Sequence, residues 1–393
     1  MTWSPTQDTK RYRPRDARDA TPAVFAERLA ACAGCPRRFL NRCQSAETLV
    51  SVAARPAKAA CPLGLWSGPA ASVESGALRV AGPDNNSPPT TNQPPPQNLA
   101  IVTCHFNPCG YRRPIKNYRR FVAGLGDLAD RLYTVELAFD DEPFQIVSDT
   151  DAARHFGYRV DSRLGTMWQK ERLLNLGFSQ LPASVDAVAW IDADLLFLNP
   201  DWAAQTLHAL ESHSAVQLFG GVIDTDATGE AIEAPRPGIG KVNRVTSLAG
   251  KYGRPGGAWA VRRDVLPNGI YDRHILGGGD SILAHSWLGR VEKSQSFAGL
   301  DSRILREFAA SQANIPGGIG YVPGDVIHLY HGTRANRRYV DRYQILRDGG
   351  FDPVADLRDD PAAPLQWSDE AIRNKSEMVE AVRRYFVDRQ EDT

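Results

Sequence analysis

The chain has 393 residues, of which 42% are apolar and 23% charged, enough for one large folded domain with something smaller attached. Lys plus Arg and Asp plus Glu both number 46, so the formal net charge is zero, and the bulk charge argues against duplex nucleic acid or an anionic membrane as a partner. No stretch approaches the ~18 uninterrupted apolar residues of a membrane span, and Met1-Thr2-Trp3-Ser4-Pro5 opens no hydrophobic signal region, so the expected location is the cytoplasm.

Residues 1–20 are polar and rich in charge, the composition of a disordered arm. Residues 21–66 hold Cys32-Ala33-Gly34-Cys35, Cys43 and Cys61. In a reducing compartment, four thiols that begin with a Cys-x-x-Cys knuckle read as metal ligands rather than disulfides. A structural Zn²⁺ on Cys32, Cys35, Cys43 and Cys61 would staple a segment too short to bury its own core. An iron–sulfur cluster and unligated thiols are the weaker alternatives. Residues 67–97, rich in Pro, Ser and Asn and ending Pro94-Pro95-Pro96, are expected to be a linker.

The large domain opens with a predicted strand, Asn98 to Cys104, that runs into the polar turn Thr103 to Tyr111. A helix over Asn117 to Leu125 and a strand over Leu132 to Phe139 follow. From Gly165 to Leu181 the apolar residues Met167, Leu174, Phe178 and Leu181 fall on one helical stripe. Lys170 and Glu171 sit on its shoulders, where charges must pair, snorkel or face a polar site. The functional reading of Lys170 is a phosphate contact. Pro182-Ala183-Ser184 turns the chain into Val188 to Ile191, an apolar run ending in Asp192-Ala193-Asp194. Strands buried on both faces read as such runs, and in open α/β sheets the chemistry lies just beyond their carboxyl ends. Asp192 and Asp194 there can offer hard oxygen ligands to Mg²⁺ or Mn²⁺; capping the next turn is the plainer alternative.

Asp201 to Ser212 reads as helix and Ala215 to Phe219 as strand, whereas Gly220 to Gly253 is expected to be a long polar loop. Gly256 to Leu266 reads as a tight turn and strand carrying Trp259. Leu276-Gly277-Gly278-Gly279-Asp280-Ser281 opens a helix over Ile282 to Leu288; Asp280 sits at its N-terminus, where a carboxylate is well held and can also serve merely as a cap. Asp325 to Arg334 is a strand with His328 and His331 at its end. Three residues apart on an extended strand, the two point to opposite faces, so one ion is expected to take His331 alone. Arg334, Arg337 and Arg338 follow. Over residues 351–393, the tail carries an amphipathic helix from Asp369 to Arg389 with Ile372, Met378, Val379, Val382, Tyr385 and Phe386 inward, expected to pack on the preceding domain.

Strand, Asp192-Ala193-Asp194, apolar residues and Asn199-Pro200 together resemble the signature of nucleotide-sugar-dependent glycosyltransferases of the GT-A fold. The Gly256-Gly257-Ala258-Trp259 and Gly277-Gly278-Gly279-Asp280 segments are similar to elements of the β-1,4-galactosyltransferase-like and polypeptide N-acetylgalactosaminyltransferase-like families, with Gly279 standing where those families carry Glu. The late His331 resembles a third element, and the likeness spans residues 98–345. It implies a mixed central sheet flanked by helices, with 98–350 as catalytic domain. It further implies Mn²⁺ or Mg²⁺ on Asp192, Asp194 and His331, holding the diphosphate of a UDP-linked sugar. Asn107 and Tyr111 would lie near the base or ribose, and Lys170, Asp192, Trp259 and Arg334 would complete the donor site. Asp280 would be the base of an inverting transfer to a hydroxyl of a glycan, protein or small molecule. A Mg²⁺-dependent nucleotidyltransferase also uses strand-end carboxylates, but His105-Phe106-Asn107-Pro108 is not the basic glycine-rich loop it would show. The remaining alternative is a catalytically silent sugar- or nucleotide-binding protein acting through its cysteine module.

Overall fold

The computed structural model describes residues 38–39, 42–43, 48–49, 96–248, 252–293, 302–312, 315, 318–339 and 341–393. The chain divides into two compact units, 1–85 and 86–393. In the first, three two-residue strands, β1 (Arg38–Phe39), β2 (Arg42–Cys43) and β3 (Thr48–Leu49), form an antiparallel sheet in that order. Cys32, Cys35 and Cys61 of the expected metal module lie outside the described residues, and Cys43 is described only as backbone of β2.

Apolar runs form the strands of the second unit. They are β4 (Leu99–Phe106), β5 (Leu132–Phe139), β6 (His155–Val160), β7 (Ala187–Ile191), β9 (Ala215–Gln217), β12 (Ala258–Arg262) and β13 (Ile319–Tyr321). They pair into a seven-stranded mixed sheet of order β13-β9-β12-β7-β4-β5-β6. β4 runs parallel to β5 and β7, while β12 lies antiparallel between β7 and β9. A smaller sheet, order β11-β10-β14-β8, comprises β8 (Leu195–Phe197), β10 (Gly221–Asp224), β11 (Arg236–Pro237) and β14 (Asp325–His328).

Period-two alternation along β4 explains why both faces of the large sheet are covered. Leu99 and Ile101 pack with Phe121 and Leu125 of helix α1 (Arg112–Leu125), while Ala100 and Val102 pack with Leu174 of α3 (Lys170–Ser179). α3 approaches closely because residue 177 is glycine: a Cβ there would lie 2.7 Å from Val102 and 2.9 Å from Val135. The expected helix from Gly165 is two pieces, the short α2 (Ser162–Gly165) and α3. Between them the Gln169 amide bonds Gly165 O and both backbone groups of Leu365, so a tertiary tie replaces the helical ladder. The stretch expected to be a loop, 220–253, contains β10, β11 and a further short helix, and β10 is sheet because it pairs with the distant β14.

The C-terminal helix also divides. α10 (Asp369–Asn374) and α11 (Ser376–Asp388) meet at Lys375, whose backbone leaves the helical region and whose Nζ is drawn to Gly350 O and Asp356, 2.7 Å each. Between α3 and α10 the chain forms α4 (Trp202–Ala209), α5 (Ile239–Arg244), α6 (Gly279–Trp287), α7 (Ser302–Ser311), α8 (Arg334–Arg337) and α9 (Gln344–Asp348). Met378, Val382, Tyr385 and Phe386 of α11 are buried with Met167, Ile282 and Trp367, so the tail packs on the domain it follows. Among the described residues, no helix is long and apolar enough to cross a membrane.

Trp259 of β12, expected in the donor site, is a core residue. It is 1% exposed, its indole N–H donates to Pro255 O at 2.7 Å, and its ring meets Trp287 edge-on at 5.3 Å. Trp259→Ala is expected to cost about 3–5 kcal/mol of unfolding free energy, read from urea denaturation. An unchanged unfolding midpoint would contradict that placement.

Candidate active site

The chain visits β4, then β5 and β6 on one side, and returns to β7 on the other. The reversal between β4 and β7 is the place where strand ends splay and leave a crevice. A cleft of about 560 Å³ opens there, lined by the ends of both strands, the start of α6 and the residues after β14. The hydroxyl of Thr103 donates to Ile191 O at 2.7 Å, closing the two strands where their ladder stops.

Asp194, His328 and His331 converge in the cleft, their ligating atoms all within 4.8 Å of one another. Asp194 Oδ2 lies 3.2 Å from His331 Nε2 and 3.6 Å from His328 Nε2, and the two imidazole nitrogens are 3.2 Å apart. The opposite-face expectation fails because β14 stops at His328. Leu329 then donates its N–H to Asp194 O, and the chain leaves the extended form, which brings His331 back to the side of His328. Asp192, expected as a ligand, stands outside this trio and is bound to Lys170 instead.

His328 is oriented from behind. Its Nδ1 lies 2.7 Å from Asp224 Oδ1, the last residue of the neighbouring strand β10, which leaves Nε2 to face Asp194. Burial would raise the Asp224 carboxyl, but His328 and Arg254 hold it well below the usual carboxylate range. Arg236 and Arg334 reach the same carboxylate at 2.5 and 2.8 Å. Arg334 also pairs with Glu233 at 2.6 Å, so this side chain, expected at a diphosphate, is committed to acidic partners. A carboxylate behind a ligating histidine typically contributes 10–100-fold to metal affinity. Asp224→Asn is therefore expected to weaken Mn²⁺ binding by roughly that factor, measured by calorimetric titration of Mn²⁺; undiminished affinity would mean that His328 is not a ligand.

The trio fits a divalent cation. Asp194 Oδ1 is buried without a hydrogen-bond partner, while Oδ2 faces two imidazoles. Burial and the neighbouring Arg337 push His331 down to about 4, so at neutral pH it is the uncharged, ligating form. Arg337 Nη1 donates to His331 Nε2 at 2.9 Å, and a cation on that nitrogen requires the guanidinium to turn away.

Beside the trio, Lys170, the first residue of α3, bridges two carboxylates. Its Nζ is 2.6 Å from Asp192 Oδ1 and 2.7 Å from Asp280 Oδ2. Burial disfavours the ammonium, yet the two carboxylates hold its pKa well above the ordinary lysine value. Burial pushes Asp192 up to about 6 against the opposing pull of Lys170. Asp280 is not a helix cap: the cap position of α6 is Gly278, at φ 105, and the Asp280 carboxylate points to Lys170. Glu171, pushed up to about 8 by burial, lies directly against Gly279, so that a Cβ there would overlap its carboxyl group.

Asn107 and Tyr111 line the cleft, but their polar groups close a turn. Asn107 Nδ2 donates to Tyr111 O and to Gln145 Oε1, and its Oδ1 accepts the Tyr111 N–H. The Tyr111 hydroxyl donates to Val387 O at 2.7 Å. Sequence reasoning set His328 aside and gave no role to Asp224 or Arg342. The short apolar run Val222-Ile223 ending in Asp224 was the available signal for it, whereas its pairing beside the histidine strand is visible only in the fold.

No family model matches the sequence, and no curated protein matches it. Solved enzyme structures match at low similarity. The catalytic domain of Drosophila β1,4-galactosyltransferase 7 in complex with xylobiose is 16% identical with a TM-score of 0.28, over 52% of this chain and 63% of that one. A variant of that enzyme in complex with manganese, UDP-Gal and xylobiose gives the same identity and coverage with a TM-score of 0.29. 4-Diphosphocytidyl-2C-methyl-D-erythritol synthase from Anaerococcus prevotii is 13% identical with a TM-score of 0.30, over 63% of this chain and 96% of that one. The chain thus spans under two thirds of the galactosyltransferase chain, and at these scores the likeness carries no weight beside the site's own geometry.

Proposed function

We propose that the chain is a metal-dependent glycosyltransferase of the GT-A type that moves a sugar from a nucleoside diphosphate, UDP foremost, to an acceptor hydroxyl. The observation that carries the proposal is the meeting, in one cleft at the strand reversal, of Asp194, His328 and His331 with the Lys170-bridged pair Asp192 and Asp280. Two imidazoles and one carboxylate favour Mn²⁺ over Mg²⁺, which prefers oxygen ligands and retained water. Bound there, the ion supplies positive charge for the phosphate oxygens of the donor. Asp280 accepts the proton of the attacking hydroxyl while the new C–O bond forms and the bond from the anomeric carbon to the diphosphate oxygen breaks. Lys170 fixes Asp280 in place, and Arg337 stands where the leaving diphosphate gathers charge. Retention or inversion at the anomeric carbon is read from the product, with inversion expected from a single displacement.

The test is calorimetric titration of UDP with Mn²⁺ or with chelator, followed by assay of UDP-sugar turnover. Metal-dependent UDP binding and UDP release sustain the proposal. Pyrophosphate release from UTP and a sugar phosphate would replace it with nucleotidyl transfer, and absence of binding by any nucleoside diphosphate with any divalent ion would remove it.

A further inference from the structure

Most buried cations of this cleft have acidic partners. Lys170 has Asp192 and Asp280, Arg254 has Asp224, and Arg389 has Glu391 at 2.5 Å. Arg337 and Arg342, each 5% exposed and both lining the cleft, have no carboxylate within ion-pair distance among the described residues. The Nε of each is buried without a hydrogen-bond partner. Both guanidinium groups lie over the ring of Tyr339, at 5.3 and 5.2 Å. Arg342 is further held by the hydroxyls of Tyr343 and Tyr385, at 2.8 and 3.0 Å. Tyrosine rings and hydroxyls solvate a guanidinium in part, but they bring no opposing charge, and a buried cation is normally paired.

The two arginines occupy different parts of the cleft. Arg337 touches His331 and so belongs with the donor's diphosphate. Arg342 lies against the glycine run that presents Asp280: a Cβ on Gly277 would be 3.3 Å from its Nη2 and 3.2 Å from the Trp168 ring. The indole N–H of Trp168 is a second buried donor without a partner at that spot. A planar guanidinium whose Nε lacks an acceptor and an indole N–H that lacks one thus meet at Gly277, donors of the kind that suit an oxyanion.

Resting on the glycosyltransferase reading, we infer that the acceptor is itself an anion, a sugar acid or a phosphorylated sugar, whose carboxylate or phosphate is seated by Arg342 and Trp168 while its hydroxyl reaches Asp280. This separates two anion sites, one for the donor's diphosphate at the metal and one for the acceptor beside the base. It also makes Arg342 a specificity-determining residue, since a neutral acceptor would leave its charge buried and unmatched.

The test uses the full chain saturated with Mn²⁺ and UDP, into which glucuronate, glucose 1-phosphate, glucose and inorganic phosphate are titrated by calorimetry. Glucuronate or glucose 1-phosphate is expected to bind about tenfold or more tightly than glucose, and Arg342→Gln to erase that preference. Tighter binding of glucuronate assigns a sugar acid; tighter binding of glucose 1-phosphate, shared by inorganic phosphate, assigns a phosphorylated acceptor. Equal binding of glucose, glucuronate and glucose 1-phosphate overturns the inference, as does anion binding that survives in Arg342→Gln. Mutual exclusion of inorganic phosphate and UDP overturns it too, by returning Arg342 to the donor. Arg342→Lys, which keeps the charge, guards against misfolding, and circular dichroism checks both variants. The preceding titration of UDP and Mn²⁺ reports separately on the donor site. If it fails, the glycosyltransferase reading falls, whereas failure of the anions alone leaves that reading standing.

Discussion

Asp194→Ala is expected to abolish Mn²⁺-supported binding of UDP, lowering metal affinity by more than the roughly 10–100-fold that loss of a residue behind a ligand produces. The carboxylate is the only anion of the trio, and without it two imidazoles and the adjacent Arg337 are left to face a cation. The contrast is Asp192→Ala, two residues earlier. Asp192 is held by Lys170 rather than by the histidines, so that variant is expected to keep Mn²⁺ affinity within about threefold and to weaken the donor site by other means. Calorimetry and the electron paramagnetic resonance signal of free Mn²⁺ measure both. A loss in Asp192→Ala with none in Asp194→Ala would reverse the assignment of the ligands.

Asp280→Asn is expected to lower kcat by about 10²–10⁴ while leaving UDP affinity nearly unchanged, the range for removing a general base. The amide keeps the shape of the side chain but cannot take the proton. Lys170 stays in position because Asp192 still holds it. UDP release from a UDP-sugar, compared at saturating donor, measures the effect. A kcat within about threefold of the parent would reduce Asp280 to a partner of Lys170 with no part in proton transfer.

The central strands and the position of Asp192-Ala193-Asp194 were legible because an apolar run ending in carboxylates leaves few structural choices. β5 falls on Leu132–Phe139 as expected, and β7 ends just before Asp192. His328 was misjudged for a physical reason. Alternation along a strand is a sound rule only while the strand lasts, and sequence does not mark that β14 stops at His328. Trp259 illustrates a second limit: a tryptophan beside glycines suits a sugar site and a buried strand equally, and only the packing of Trp287 and the acceptor at Pro255 decide. The basic residues after His331 illustrate a third. Arg334 pairs with Asp224 and Glu233, Arg337 turns inward beside His331, and Arg338 takes a left-handed backbone at φ 44, so neighbours of one chemical type meet three different fates.

The contact of Gly279 with Glu171 binds two distant positions into one unit of inheritance. A side chain at 279 requires the buried Glu171 carboxyl group to move, and a smaller residue at 171 would open a void beneath the bare backbone of 279. In a saturation library, substitutions at either position alone should be depleted, and survivors should appear as exchanged pairs in which bulk lost at one position returns at the other. Changing the chemistry beside Asp280 is thus expected to call for a matching change at position 171.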